Sequence, residues 1–201
     1  MIIELEGLDG AGKTTQVELL RNRLENSGYP AQVLRSPGGS GYGEAIRPIH
    51  LSDIERPPET DLLVVAGLLS ANIAQAKFNA QNEIVTIFDR GLSSFYAYQG
   101  ASGVNKQTID TVLQVIGADP SGPNAPNVHI ILDVDWQIGM QRISGRKLDA
   151  WEKRGAEFFT RVRELYRETP YGETIINANQ TVEEVHEQIW QTVEEKLKKG
   201  S

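Results

Sequence analysis

The stretch ELEGLDGAGKTTQ, residues 4–16, decides the fold. It contains the pattern G-x-x-x-x-G-K-[ST], in which Gly7 and Gly12 are the glycines and Lys13 and Thr14 complete the motif. Glycines allow backbone N–H groups to turn toward an anion, and the helix that follows adds its positive N-terminus. The stretch therefore predicts a loop that binds nucleotide phosphates, with Lys13 reaching the β- and γ-phosphates and the Thr14 hydroxyl binding Mg²⁺.

Short apolar runs rich in strand-forming residues alternate with longer amphipathic stretches along the chain. Strands are predicted at 2–6, 31–35, 84–88, 128–134 and 173–177, and helices at 13–27, 59–82, 106–117 and 180–198. Such alternation is typical of βαβ units. The fold class predicted is α/β, a P-loop three-layer α/β/α arrangement in which a five-stranded parallel sheet is flanked by helices, as one domain over residues 1–201.

Composition excludes several classes of function. The net charge of −7 argues against a general nucleic-acid-binding surface. Because the chain has no cysteine, disulfides and thiolate metal sites are excluded. No apolar run approaches the roughly 18 residues of a membrane span, and the strand-like start predicts a cytoplasmic protein. Residues 142–167 nevertheless hold eight Lys or Arg against four Asp or Glu, which predicts a local anion site.

Two further loops follow predicted strands, where parallel sheets bind ligands. In IVTIFDR, residues 84–90, Asp89 is either a Mg²⁺ ligand or a cap of the next helix, and Arg90 either clamps an acceptor's phosphate or forms a surface salt bridge. In RSPGGSGYGEAIR, residues 35–47, Pro37 stiffens the entry and Arg47 is placed to face an anion. The alternative for this second loop is an ordinary flexible connection.

Five ordered segments together resemble the thymidylate kinase family of P-loop nucleoside monophosphate kinases. They are EGLDGAGKTTQ (6–16), RSPGGSGYGEAIR (35–47), FDRGLSSFYAYQG (88–100), ILDVDWQIGMQRISGR with FFTRVRELY (131–146 and 158–166), and INANQTVEEV (176–185). The resemblance implies transfer of the γ-phosphoryl group of ATP, with Mg²⁺, to the phosphate of a deoxynucleoside monophosphate, most directly dTMP. It also implies a homodimer, for which the apolar helix at 61–76 is the candidate face; the alternative for this helix is ordinary core packing, and periodicity does not separate the two.

The resemblance assigns roles residue by residue. The catalytic group comprises Asp9, Lys13, Arg90 and Arg146, and the metal ligands are Thr14 and Asp89. The ATP-binding set comprises Gly7, Leu8, Asp9, Gly10, Ala11, Gly12, Lys13, Thr14, Thr15, Arg142 and Arg146. The acceptor-binding set comprises Asp9, Pro37, Arg47, Val64, Leu68, Arg90, Ser94, Tyr98 and Gln99. A basic lid is expected at about 142–155, where it would close over the triphosphate and exclude water; the alternative is a solvated helical face.

The chain departs from the family pattern near the base and in the lid. Val64 and Leu68 stand where the family often carries a base-stacking Phe and a base-reading Arg; a gapped alignment puts Ile73 at the Arg position. Ala150 stands where a lid Arg is common, so Arg146, Lys147, Lys153 or Arg154 would have to replace it. Gly91 and Ser36 replace an aromatic or His and a Glu. These departures leave open a different or modified nucleobase as acceptor, or a nucleotide-binding pseudoenzyme or regulatory P-loop ATPase.

Overall fold

Five parallel strands form one sheet in the computed structural model, which describes residues 1–118, 122, 124–145, 148–169, 171 and 174–200 (residue 200 by its backbone only). The strands are β1 (Ile2–Gly7), β2 (Ala31–Arg35), β3 (Val85–Asp89), β4 (Val128–Asp133) and β5 (Thr174–Asn177), in the spatial order β2-β3-β1-β4-β5. Every neighbouring pair is parallel. The predicted fold class is confirmed, and each predicted strand lies within one residue of an observed one.

Eight α-helices flank this sheet within the described residues. They are α1 (Lys13–Asn26), α2 (Gly41–His50), α3 (Pro58–Gln81), α4 (Leu92–Ala101), α5 (Lys106–Val115), α6 (Trp136–Arg142), α7 (Gly155–Arg167) and α8 (Val182–Gly200), with a short 3₁₀ turn at Glu152–Arg154. Local sequence explains several of their starts. Pro58 opens α3 at a position that needs no N–H donor, and the Ser40 hydroxyl caps α2 by accepting the N–H of Gly43 at 3.0 Å.

The middle strands place the phosphate-loop motif at the centre of the molecule. β1 lies between β3 and β4, and its register sets Leu5 beside Asp89 and Gly7 beside Leu132. Ile3 and Leu5 of β1 are fully buried in the main core. Because β1 and β3 end at the same edge, the loops that follow them lie side by side.

Close backbone packing explains two glycines of the loop. A Cβ atom on Gly10, whose φ is +78°, would lie 2.0 Å from the carbonyl oxygen of Gly139 on α6. A Cβ atom on Gly139 would in turn lie 2.4 Å from the carbonyl oxygen of Asp9. Both positions exclude side chains, so the loop rests directly on the backbone of α6.

Of the helices that the structure describes, α3 alone has the length and hydropathy of a candidate membrane span, with a mean hydropathy of 1.2 over its most apolar window. Half of that window is buried inside the fold. The core helix of a globular domain has the same features.

The buried side chain of Glu4 leaves room only for a glycine at position 91. The φ of Gly91, −155°, is ordinary, but a Cβ atom there would lie 1.9 Å from Oε1 of Glu4. That oxygen accepts the N–H of Leu92, and Glu4 is fully buried. An aromatic residue or histidine at this position, as the family pattern often has, is therefore excluded by Glu4.

We predict that Gly91→Ala lowers the free energy of unfolding by about 1–3 kcal/mol, because Glu4 must move and lose its hydrogen bond. Gly67→Ala is the matched control: it lies inside α3 with open space around its Cβ position. It should gain up to about 1 kcal/mol from helix propensity. Urea denaturation measures both changes, and a Gly91→Ala variant as stable as the parent would contradict this packing.

Candidate active site

The phosphate loop holds Lys13 beneath its own backbone. The Nζ atom donates hydrogen bonds to the carbonyl oxygens of Gly7, at 3.0 Å, and Leu8, at 2.8 Å. Lys13 is only 7% exposed, and this burial, reinforced by the positive charge of Arg90, lowers its pKa to about 8. The ammonium group therefore lies in the loop, held by acceptors that an anion could replace.

Arg90 joins the ends of β1 and β3. Its Nη1 donates to the carbonyl oxygen of Gly7 at 2.9 Å, and its Nη2 donates to Oδ1 of Asp9 at 2.7 Å. Its φ of +67° lies in the left-handed region, which is uncommon for an arginine. Strained backbone of this kind concentrates at functional sites, where the surroundings hold it in place. The surface salt bridge considered from the sequence is instead a largely buried ion pair.

A buried carboxylate fixes the backbone around Arg90. Oε1 of Glu6 accepts the N–H groups of Gly91 at 2.7 Å and Ser94 at 2.9 Å, and Oε2 accepts the Ser94 hydroxyl. The hydroxyl of Tyr166 lies 2.8 Å from that of Ser94 and 3.1 Å from Nη1 of Arg90. Burial and the neighbouring Glu4 raise the pKa of Glu6. The guanidinium of Arg90 thus rests on an internal network rather than on solvent.

A cavity of about 120 Å³ opens beside Arg90. Its polar lining comes from Asp9, Ser36, Arg47, His50, Arg90, Ser94, Tyr98, Gln99 and Asp149, and its apolar lining from Pro37, Leu51, Val65, Phe95 and Trp151. The Tyr98 hydroxyl lies 3.4 Å from Oδ2 of Asp9, and burial raises the pKa of Tyr98. A cationic end and an apolar remainder are the features that a phosphorylated ligand with a flat ring would need.

A larger cleft of about 890 Å³ adjoins this cavity. It is lined by loop residues that include Gly10, Gly12, Lys13, Thr14 and Thr15, and by Asp89. Four charged residues line both spaces: Asp9, Arg47, Arg90 and Asp149. The structure therefore gives two connected binding volumes with one shared charged wall.

The loop after β2 shapes that wall. The peptide between Ser36 and Pro37 is cis, and Arg47 donates a hydrogen bond to the carbonyl oxygen of Pro37. Glu44 accepts the N–H of Gly39 at 2.8 Å and Nε of Arg35 at 2.9 Å. These contacts hold Arg47 from the next helix at the cavity mouth.

Val64 and Leu68 do not line the cavity beside Arg90. Both line a separate groove of about 350 Å³, together with Tyr42 and Ile46 of α2. Val65, one residue along, lines the cavity instead. Successive helix residues point about 100° apart, so an error of one residue in register moves a side chain to another face. Ile73, the alternative at the Arg position, is buried in the core.

In the described part of the predicted lid, Arg142 contacts the phosphate loop, whereas Lys153 and Arg154 bind residues outside the cleft. Arg142 donates to the carbonyl oxygens of Gly10 and Ala178. Lys153 pairs with Asp53 at 2.8 Å, and Arg154 donates to the Ser102 hydroxyl at 2.7 Å. Arg146 and Lys147 lie outside the described residues. Which of Arg146, Lys147, Lys153 and Arg154 replaces the arginine absent at Ala150 stays a prediction.

Sequence reasoning missed several residues of the site. His50 and Trp151 line the cavity and stack on each other, with ring centroids 5.7 Å apart. The Tyr166 hydroxyl accepts a hydrogen bond from the Arg90 guanidinium, and Glu6 accepts the backbone N–H of the next residue, Gly91. The two glutamates in β1, Glu4 and Glu6, alternate with apolar residues and were a signal for Glu6, because charged residues are buried only when paired. His50 and Trp151 carried no comparable signal, since they come from segments far apart in the chain.

The pKa of Lys13 predicts how stability depends on pH. The unfolded lysine titrates near 10.5 and the folded one at about 8, so between these values the unfolded chain binds more protons. The free energy of unfolding of the ligand-free protein should therefore rise, by about 2 kcal/mol, from pH 8 to 10.5 relative to Lys13→Met. Denaturation of both proteins across this range measures the difference, and parallel pH profiles would contradict the shift.

Comparison with known proteins agrees with this geometry. The family model described as thymidylate kinase matches residues 5–189. The thymidylate kinase of Caldanaerobacter subterraneus subsp. tengcongensis is 35% identical over 207 residues, covering 98% of this chain and 96% of the relative. Those of Pelotomaculum thermopropionicum (34% identical; 97% and 93% covered) and Nitrosospira multiformis (35% identical; 95% and 95% covered) are similar in extent. This chain belongs to the thymidylate kinase family.

Proposed function

We propose that this protein transfers the γ-phosphoryl group of ATP to the phosphate of dTMP, giving dTDP and ADP. The observation that carries the proposal is the wall of Asp9, Arg47 and Arg90, which lines both the cleft at the phosphate loop and the cavity beside it. A donor in the cleft and an acceptor in the cavity would have their phosphates at this wall. The family membership supports the same reaction.

The reaction mainly requires that the two nucleotides be positioned and that the charge on their phosphates be neutralised. An oxygen of the acceptor's phosphate attacks the γ-phosphorus of ATP, and the bond from that phosphorus to the β–γ bridging oxygen breaks as ADP leaves. Lys13 neutralises charge on the donor side. Arg90, and with it Arg47, holds the acceptor's phosphate through paired hydrogen bonds. Asp9 fixes the guanidinium of Arg90 and, with Tyr98, borders the acceptor's sugar.

The residues present fit Mg²⁺ as the metal that accompanies ATP. The Thr14 hydroxyl and the Asp89 carboxylate are hard oxygen ligands, and both line the cleft. When bound, the ion would neutralise charge on the donor's phosphates. Gly10 and Gly12, with φ of +78° and +87°, give the backbone the curvature that a phosphate cradle needs.

The lid over 142–155 would complete the site by excluding water. Arg142 donates a hydrogen bond to the carbonyl oxygen of Gly10 within the phosphate loop. Arg146 is the candidate to supply the cation absent at Ala150, and its assignment remains a prediction. The two alternatives, another or modified nucleobase and a pseudoenzyme or regulatory ATPase, receive no support from the relatives named above.

Other properties also remain predictions: one domain over 1–201, a cytoplasmic location, no binding to nucleic acid or membranes, and a homodimer. The dimer has support on α3, where Leu63 is 64% and Phe78 is 57% exposed. Exposed apolar residues on a long helix are a feature of protein interfaces.

Formation of ADP with Mg²⁺-ATP and a panel of ribo- and deoxynucleoside monophosphates tests the proposed function. We expect ADP only when an acceptor is present, with dTMP the best acceptor. Lys13→Met should lower the rate roughly 100-fold or more, because a charge that stabilises the transition state is lost. Lys77→Met, on the exposed side of α3, is the matched control and should leave the rate unchanged. ADP release independent of any acceptor would contradict the proposal.

A further inference from the structure

Two buried glutamates of β1, Glu4 and Glu6, hold the start of α4 from inside the core. Together they accept three backbone N–H groups, those of Gly91, Leu92 and Ser94. These donors closely follow Arg90, whose φ of +67° lies in the left-handed region. Strained backbone persists only where its surroundings fix it. The two carboxylates therefore help to keep Arg90 in the conformation that the phosphate site needs.

One oxygen of the Glu4 carboxylate has no hydrogen bond to satisfy it. The side chain is fully buried, and Oε2 accepts no hydrogen bond from the described residues. This oxygen lies 3.1 Å from Nε2 of His129 on β4, and that nitrogen lies 2.8 Å from the Ser93 hydroxyl. A carboxylate oxygen and an unprotonated ring nitrogen are both acceptors, so they would repel each other at this distance. A proton therefore lies on one of the two atoms.

Charge balance favours a fully protonated, positively charged His129. Atoms of Glu4, Glu6 and His129 lie within 4.8 Å of one another, so two buried carboxylates face one imidazole. A buried carboxylate needs a compensating charge, and an imidazole binds a proton more tightly than a carboxylate does. The other groups around the cluster in the described residues are four hydroxyls and a guanidinium that already pairs with Asp9; they belong to Ser93, Ser94, Tyr166, Tyr171 and Arg90.

A metal ion fits this cluster less well than a proton. Both oxygens of Glu6 already accept hydrogen bonds from the start of α4 and from the Tyr166 hydroxyl, and Oε1 of Glu4 is also occupied. This leaves Oε2 of Glu4 and Nε2 of His129 to face an ion, whereas zinc takes at least three protein ligands. A single proton between the two atoms satisfies both of them.

We propose that His129 is a positioning residue for acceptor binding: its charged imidazole pairs with Glu4, and the pair holds the start of α4 so that Arg90 meets the acceptor's phosphate. The inference rests on the proposed function. Without the charge on His129, Glu4 would be a buried carboxylate with no compensation, and it would take up a proton or turn away. Either change weakens its bond to the N–H of Leu92, two residues after Arg90.

Calorimetric binding of dTMP and of thymidine near neutral pH, without ATP, tests the proposal. His129→Gln removes the charge but keeps a group that donates a hydrogen bond. The preference for dTMP over thymidine should fall about tenfold, because only dTMP carries the phosphate that Arg90 holds. Binding of thymidine itself should hardly change, whereas general loss of structure would weaken both ligands. His186→Gln, a partly buried histidine of α8, is the matched control and should leave the preference unchanged.

A second substitution separates positioning from damage to the core. Glu4→Gln in the His129→Gln background removes the unpaired charge and keeps an oxygen for the N–H of Leu92. The preference should recover to within about threefold of the parent, because the two side chains act as a pair. Full preference in His129→Gln alone, or no recovery in the double variant, would overturn this inference while the parent still phosphorylates dTMP. A parent that neither binds nor phosphorylates dTMP would overturn the proposed function as well.

The charge on His129 can be measured in the parent, which keeps the test valid if His129→Gln does not fold. The chain has three histidines, so nitrogen NMR of labelled histidine identifies His129 by elimination with His50→Gln and His186→Gln. Both of its ring nitrogens should carry protons near neutral pH, and the charge should be lost only above the value of an ordinary histidine, about 6.5. A neutral His129 near pH 7 would overturn the inference.

Discussion

The ion pair of Arg90 with Asp9 is the interaction on which the rest of the site depends. The N–H of Arg90 donates to the carbonyl oxygen of Leu5 at 3.1 Å, so the residue is tied to β1 by its backbone as well as its side chain. A buried charge that loses its partner is strongly destabilising, so the pair constrains both strand ends at once. The guanidinium itself is oriented by its hydrogen bonds to the Gly7 carbonyl, Asp9 and the Tyr166 hydroxyl.

This arrangement joins two binding volumes that would otherwise be independent. The phosphate loop follows β1 and the cavity beside Arg90 lies beyond β3, and parallel pairing puts both at one edge of the sheet. Lys13 on one side and Arg90 on the other supply positive charge where two phosphorylated ligands would meet. Because like charges lower each other's proton affinity, the low pKa of Lys13 is partly a result of this closeness. A bound phosphate would raise the pKa of Lys13 again, because its negative charge would offset that of the nearby Arg90.

The sequence was sufficient to predict the sheet and the loops at its carboxyl edge. Hydrophobic periodicity, glycine spacing and charged residues at strand ends are all signals that a short stretch of chain carries by itself. The sequence was insufficient where a shift of one residue along a helix decides which side chain lines the cavity: Val65 lines it, whereas Val64 lines a separate groove. It also failed for His50 and Trp151, which meet at the cavity only because segments distant in the chain pack together. Gly91 departs from the family pattern for a reason that only packing against Glu4 reveals. Arg146, the lid residue of most interest, lies outside the described residues.

The most direct measurement of the central claim compares the binding of dTMP and of thymidine, which lacks the phosphate, to the parent protein and to Arg90→Gln. If Arg90 holds the acceptor's phosphate, the parent should prefer dTMP strongly. The variant should lose most of that preference while binding thymidine nearly as before. A variant that weakens both ligands equally would contradict the account, because Arg90 would then support the fold of the cavity without contacting the phosphate.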